Sequence, residues 1–166
     1  MDSLKQDQDI VVQTTRNFKN IDVSPARLEK LVKAVCNRFK LPKATVSVAI
    51  VGDAEIRKLN KRFLKRNCTT DCLSFDLSDE KNAPGNPDNR SSKSFELVVN
   101  AEKAVKEANL RGHSAEAELA LYITHALLHN LGFDDATQDH TEKMHQVEDE
   151  ILQQQGYGLV YNTNRR

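Results

Sequence analysis

Along this chain, short runs with the apolar pattern of strands are followed by segments in which apolar residues recur every three or four positions, as in helices. Short β-branched or alternating runs predict four strands, at 9–15, 44–51, 70–77 and 95–99. Apolar residues three or four positions apart predict five helices, starting near Pro25, Asp53, Ala101, Ala115 and Gln138. The order β-α-β-α-β-β-α-α-α predicts an α/β (α+β) fold, a small mixed four-stranded sheet with about five helices packed around it.

Capping residues support the helix boundaries. Ser24 precedes a proline, which suits the first position of a helix, and Ser114 precedes the fourth helix as its N-cap. Thr137 starts the last helix and Gly156 ends it. In that helix Met144, Val147 and Ile151 are predicted to face inward, and in the second helix the predicted inner face is Ile56, Leu59, Asn60 and Phe63.

Composition changes mark the limits of the folded part. Residues 1–8 are polar and are predicted to be disordered, and 158–166 form a polar C-terminal tail. A stretch rich in Ser, Asp, Asn, Pro and Gly at 78–93 predicts a surface loop. We expect a single domain over 9–157.

Overall composition excludes several classes of protein. Hydrophobic residues make up 39% and charged residues 29%, and Lys+Arg 24 balances Asp+Glu 24. Net charge therefore gives no general argument for nucleic acid, and no apolar run reaches membrane-spanning length. Three cysteines, an odd and low number, predict reduced thiols without disulfide partners and a cytoplasmic location.

His125 and His129 provide the strongest chemical signal. Their separation of four residues places both imidazoles on one face of the fourth predicted helix, one turn apart, where both can reach one metal ion. Gly132 can end the helix, so that Asp135 returns as a third ligand; adjacent Asp134 is an alternative. Three protein ligands with an open position are typical of a catalytic zinc site.

Other histidines compete for the site. His140 shares the inward phase of the last helix and is the alternative third ligand, whereas His145 is predicted on its opposite, solvated face and His113 in a loop. Position 126 is alanine, so the glutamate of an H-E-x-x-H metalloprotease is missing. Peptide hydrolysis by that mechanism is disfavoured.

Basic residues cluster on the second helix. Six of the ten residues at 57–66 are Lys or Arg, in pairs every four residues opposite the apolar face. We name this set the basic stripe: Arg57, Lys58, Lys61, Arg62, Lys65 and Arg66. Such a stripe is a candidate RNA phosphate contact, although an ordinary solvated helix face has the same pattern.

Three ordered motifs resemble a known family. The stretch from His125 to Asp135 resembles the H-G-x-L-H-L-x-G-Y-D-H signature of YbeY-type endoribonucleases. Residues 59–75 resemble the family's L-N-x-x-Y-R…P-T-D-V-L-S-F segment, and 95–104 resemble its G-D-I-V-I strand and the following helix. The resemblance covers roughly residues 9–157.

The resemblance implies a metal-dependent, single-strand endoribonuclease that acts in ribosomal RNA maturation and ribosome quality control. It implies one Zn²⁺ ion in a cleft, ribosomal RNA and the small ribosomal subunit as partners, and Glu96 and Ser74 as candidate catalytic residues of the cleft. The family's third histidine aligns with Asp135, and its motif arginine aligns with Leu64. Lys65 or Arg66 can replace that arginine.

These departures leave two alternative functions open. One is a catalytically weakened ribosome- or RNA-binding member of the same fold, which the changes at Asp135 and Leu64 favour. The other is a metal-dependent hydrolase with a non-RNA substrate. Carboxylate is a normal zinc ligand, but its negative charge makes a metal-bound water less acidic than a third histidine would.

Overall fold

The computed structural model describes residues 9–78, 92–158 and 160. The predicted disordered N-terminus, most of the polar tail and most of the predicted 78–93 loop lie outside them. The strands are β1 (Asp9–Arg16), β2 (Lys43–Val51), β3 (Cys72–Asp76) and β4 (Ser92–Asn100). The helices are α1 (Pro25–Arg38), α2 (Asp53–Leu64), α3 (Ala101–Arg111), α4 (Ala115–Asn130) and α5 (Gln138–Gln154).

One mixed sheet organises the molecule, which confirms the predicted fold class. The strand order is β1-β2-β4-β3. β1 and β4 run parallel to β2, whereas β3 pairs antiparallel with β4, placing Ser74 opposite Leu97 and Phe75 opposite Glu96. Because side chains alternate along a strand, this register decides which residues share a face.

The main core lies on the sheet face that carries α1 and α4, which we call the α4 face. Val46 and Val48 of β2 and Phe95 and Leu97 of β4 are buried there. α4 is enclosed along most of its length, with 12 of its 16 residues buried. The histidine-bearing helix is therefore a core helix rather than an amphipathic surface helix.

The opposite face, the α2 face, is covered more sparsely. A smaller cluster joins Ile56 of α2 to Val51, Leu73 and Val98. Glu96 is exposed on this face, two residues before Val98 of the cluster and opposite Phe75 in the ladder. The sheet therefore separates α2 from α4.

The predicted helix starts are confirmed by their capping hydrogen bonds. Ser24 Oγ accepts from the backbone N–H of Arg27, and Ser114 Oγ accepts from Ala117. Thr137 Oγ1 accepts from His140. Each bond satisfies a donor that a helix N-terminus otherwise leaves unpaired.

Two predictions about local structure need correction. β4 begins at Ser92, earlier than predicted, because the polar residues 92–94 pair with 43–45 of β2 although they bury little apolar surface. Phe63, predicted on the inner face of α2, is 53% exposed. α2 packs on the sheet mainly through Ile56 and Leu59, and its last turn lies at the edge of the covered area, where Phe63 contacts Phe75.

Candidate metal centre

The end of α4 and the turn after it bring three potential metal ligands together. α4 ends at Asn130, and Gly132 then adopts φ +99°, a left-handed conformation that glycine accepts without strain. The chain reverses there and carries Asp135 back towards the helix. The ligand atoms of His125, His129 and Asp135 all lie within 4.8 Å of one another.

The imidazoles of His125 and His129 approach each other through their Nε2 atoms. His125 Nε2 and His129 Nε2 are 2.9 Å apart. His125 Nδ1 contacts Glu148 Oε1 at 2.6 Å, and His129 Nδ1 contacts the carbonyl oxygen of Phe133 at 3.0 Å. Both partners accept hydrogen bonds only, so each Nδ1 carries the proton and each Nε2 is left to bind a ligand.

This donor set fits a divalent metal ion. Zn–N bonds of about 2.0–2.1 Å place two nitrogens of a tetrahedral site roughly 3.3 Å apart, close to the observed separation. Two Nε2 lone pairs directed at one point repel each other unless a proton or cation lies there. A carboxylate from Asp135 adds the negative charge that favours the cation.

Glu148 of α5 supports the site from behind and was missed by the sequence interpretation. Its side chain is fully buried, and its second oxygen contacts His145 Nδ1 at 2.8 Å. Burial works to raise the pKa of Glu148, but the hydrogen bonds of His125 and His145 outweigh it and lower that pKa. The signal that could have found Glu148 is its position: it is an acidic residue on the inward side of α5, in phase with Met144, Val147 and Ile151.

The same contact raises the pKa of His125. Burial alone would lower the pKa of this imidazole, but the hydrogen bond and negative charge of Glu148 outweigh burial. Asp71 and Asp135 act in the same direction. The carboxylates around His125 thus create a negative electrostatic potential that favours a cation.

Two predictions about the remaining histidines are wrong. His145, predicted to be solvated, is largely buried, and its ring stacks on that of His125 at a centroid distance of 6.3 Å. His140, predicted to face inward, has an exposed side chain that contacts Asp134 at 2.7 Å; its role as the alternative third ligand stays a prediction. Both errors arise because the position of a residue around a helix gives the direction of its side chain but does not show which element packs on that side.

The two residues suggested only by family resemblance lie on different faces. Ser74 pairs with Leu97 and shares the α4 face. Glu96 lies on the α2 face and is exposed, whereas the histidines belong to α4; its catalytic role, which only the resemblance implies, stays a prediction. Ser74 pairs with the residue next to Glu96, and adjacent positions along a strand point to opposite sides of the sheet.

The basic stripe is exposed along its length on the α2 face. Lys65 caps α2 in a left-handed conformation with φ +60°, and Leu64 beside it is also exposed. Arg57 Nε donates to Asn67 Oδ1 at 3.0 Å, which ties the stripe to the connection that follows. The RNA-binding role of the stripe, and of Lys65 and Arg66 in particular, stays a prediction.

A polar cavity of about 190 Å³ lies beside His125. It is lined by charged and aromatic side chains of the α2–β3 connection, α3, α4 and α5, among them Asp71, Lys103, Arg111, Glu118 and Tyr122. None of these five was predicted to be a site residue, since they come from separate elements of the fold. Within the described part of the chain, no helix is both long and apolar enough to cross a membrane.

Comparison with known proteins gives consistent matches over most of the chain. The sequence model of the family Endoribonuclease YbeY matches residues 13–156. An Endoribonuclease YbeY of Chelativorans sp. (strain BNC1) is 35% identical over 141 residues, covering 84% of this chain and 84% of the relative. That of Caldicellulosiruptor bescii is 31% identical over 153 residues, covering 89% and 97%.

A solved structure supports the fold. The solution structure of TM1509 from Thermotoga maritima aligns with a TM-score of 0.54 at 22% identity. The alignment covers 87% of this chain and 91% of that one. At this identity the likeness concerns the fold alone.

Proposed function

Because the chain belongs to the endoribonuclease YbeY family, we propose that it is a metal-dependent, single-strand-specific endoribonuclease. We propose that it acts in ribosomal RNA maturation and ribosome quality control, with ribosomal RNA and the small ribosomal subunit as its partners. We also propose a cytoplasmic location, which the odd and low number of cysteines in the sequence favours.

One observation carries the proposal of metal dependence. His125, His129 and Asp135 converge within 4.8 Å, and both histidines have their Nδ1 atoms engaged elsewhere. These residues would hold one ion, for which we propose Zn²⁺. A bound ion of this kind polarises a phosphoryl oxygen and lowers the pKa of a coordinated water.

The chain's own residues have separable tasks in this proposal. Glu148 holds the His125 ring and keeps its proton on Nδ1. The carbonyl oxygen of Phe133 does the same for His129. The basic stripe contributes phosphate contacts that draw RNA to the protein without reading its sequence.

The metal content of variants at two neighbouring carboxylates tests the proposal. We expect wild type and Asp134→Ala to retain about one zinc ion per chain by elemental analysis, and Asp135→Ala to lose most of it. Asp134 is the matched control because it is exposed and bonded to the Ala136 N–H and to His140, outside the ligand cluster. A wild type without stoichiometric metal, together with His125→Ala that still cleaves RNA normally, contradicts the proposal.

The substitution of Asp135 for histidine favours one alternative, a catalytically weakened RNA-binding member of the fold. That protein would bind RNA through the basic stripe and show no metal-dependent cleavage. A hydrolase of a non-RNA substrate gives the opposite result. Replacing Lys61, Arg62, Lys65 and Arg66 by glutamine should weaken RNA binding in both RNA-directed cases and leave a small-molecule hydrolase unaffected.

A further inference from the structure

An exposed aromatic ring lies at the end of α2. Phe63 is 53% exposed. Its ring packs edge-on against Phe75 of β3, at a centroid distance of 5.5 Å and an interplanar angle of 65°. The guanidinium of Arg62 lies 5.2 Å from the ring centroid. The ring is thus supported along an edge while much of its surface stays accessible to solvent.

The charges around this ring are strongly asymmetric. No acidic residue occurs between Arg57 and Thr70, and the basic stripe passes directly beside the ring. On the sheet side, the exposed carboxylate of Glu96 lies opposite Phe75 in the ladder and on the same face as the ring. An anionic chain is therefore attracted along α2 and repelled from the open sheet surface.

We propose that Phe63 is a stacking platform for an unpaired base of single-stranded RNA whose phosphates lie along the basic stripe. This inference rests on the proposed function, since it names how that activity would select single strands. Aromatic rings stack on bases of any type, and Arg adds a cation–π contribution. A duplex does not offer a free base face, so the platform favours single strands.

An acidic membrane surface is the competing partner for a basic and apolar patch. A membrane-bound helix buries a continuous apolar stripe in the lipid interface. In α2 the apolar stripe instead faces the sheet through Ile56 and Leu59. Among the large apolar side chains of α2, only Phe63 and Leu64 at its last turn are exposed, which suits one stacked base better than insertion into lipid.

The platform lies on the α2 face, whereas the candidate metal centre belongs to α4 on the opposite face. A bound strand therefore places different nucleotides at the two positions. Removal of the platform should accordingly raise KM for RNA cleavage and leave kcat nearly unchanged. The platform is a binding element and takes no part in the bond-breaking step.

The test compares ring and aliphatic variants of the full-length chain. Affinity for a fluorescently labelled oligouridylate and for a labelled RNA duplex is measured by anisotropy, with chelator present to prevent cleavage. We expect Phe63→Leu to bind the oligouridylate about tenfold more weakly, within the range of base–aromatic stacking. Phe63→Tyr keeps the ring and should restore binding, and duplex affinity should not change.

Leu64→Ala is the matched control, because Leu64 is adjacent and similarly exposed, at 48%, but has no ring. Its affinity for oligouridylate should stay within about twofold of wild type. Equal loss in Phe63→Leu and Leu64→Ala overturns the proposal, as does a Phe63→Leu protein that binds like wild type. Phe63-dependent binding to acidic phospholipid vesicles, without an effect on RNA, also overturns it.

These outcomes are separate from those that decide the proposed function. A protein that holds no zinc and cleaves no RNA would refute the endoribonuclease activity. The ratio of oligouridylate affinities between Phe63→Tyr and Phe63→Leu would still be measurable in that protein. A ratio near one would refute the platform alone.

Discussion

A single buried carboxylate sets the orientation of the candidate metal centre. Glu148 accepts from His125 with one oxygen and from His145 with the other, at 2.6 and 2.8 Å. Its fully buried charge is compensated only by these imidazoles among the contacts described for it. A residue 23 positions after His125 thereby decides which nitrogen of that ring is available to a metal.

Replacement of this carboxylate should weaken metal binding without removing any ligand. We expect Glu148→Gln to lower zinc affinity about 10- to 100-fold, because an amide cannot accept hydrogen bonds from both imidazoles. The matched control is Glu150→Gln on the same helix, which loses only the salt bridge to Arg38. Competition with a fluorescent zinc chelator measures both affinities. Equal affinity in two folded variants would exclude the orienting role of Glu148.

At the scale of elements, α4 serves both as the centre of the core and as the carrier of two metal ligands. Its middle is fully buried, including Ile123, Leu127 and Leu128, whereas His125 and His129 are only partly buried. Packing thus fixes the helix, and the helix fixes the spacing of the imidazoles. α2 differs in this respect, because its last turn lies at the edge of the apolar cluster and leaves Phe63 half exposed.

The two kinds of helix position should differ in their effect on stability. Leu128→Ala, at a fully buried position beside His129, should reduce the free energy of unfolding by about 2–5 kcal/mol through lost burial and a cavity. Leu110→Ala in α3, where the side chain is 79% exposed, should stay within about 0.5 kcal/mol of wild type. Urea denaturation followed by circular dichroism gives both values. Similar losses at the two positions would mean that α4 is not the centre of the core.

For the whole molecule, the sheet divides two chemical surfaces. The α4 face carries the three convergent ligands and the support from Glu148. The α2 face carries the basic stripe and Phe63, and the connection between α2 and β3 leads to Asp71 in the cavity beside His125. The ligands come from α4 and the turn after it, and their support comes from α5, so an ion would join several elements of the fold.

Metal removal should therefore lower the thermal stability of the whole chain. At a zinc concentration about 100 times the Kd, the ion contributes about 2.7 kcal/mol, or roughly 5–10 °C in Tm for a chain of this length. Differential scanning calorimetry with and without chelator measures the shift. Asp134→Ala should keep it and Asp135→Ala should lose most of it. An unchanged Tm in chelated wild type would contradict binding of zinc to the folded state.

The sequence by itself determined which segments are strands and which are helices, where the capped helices begin, and that His125 and His129 share one face. Those features depend on residues within one or two turns of each other, whose relation is set by the backbone period. Only the tertiary structure decided that Glu148 and His145 meet His125, that Glu96 lies on the α2 face, and that Phe63 is exposed. Each of these depends on which element packs against which, and on a strand register where one residue reverses the face.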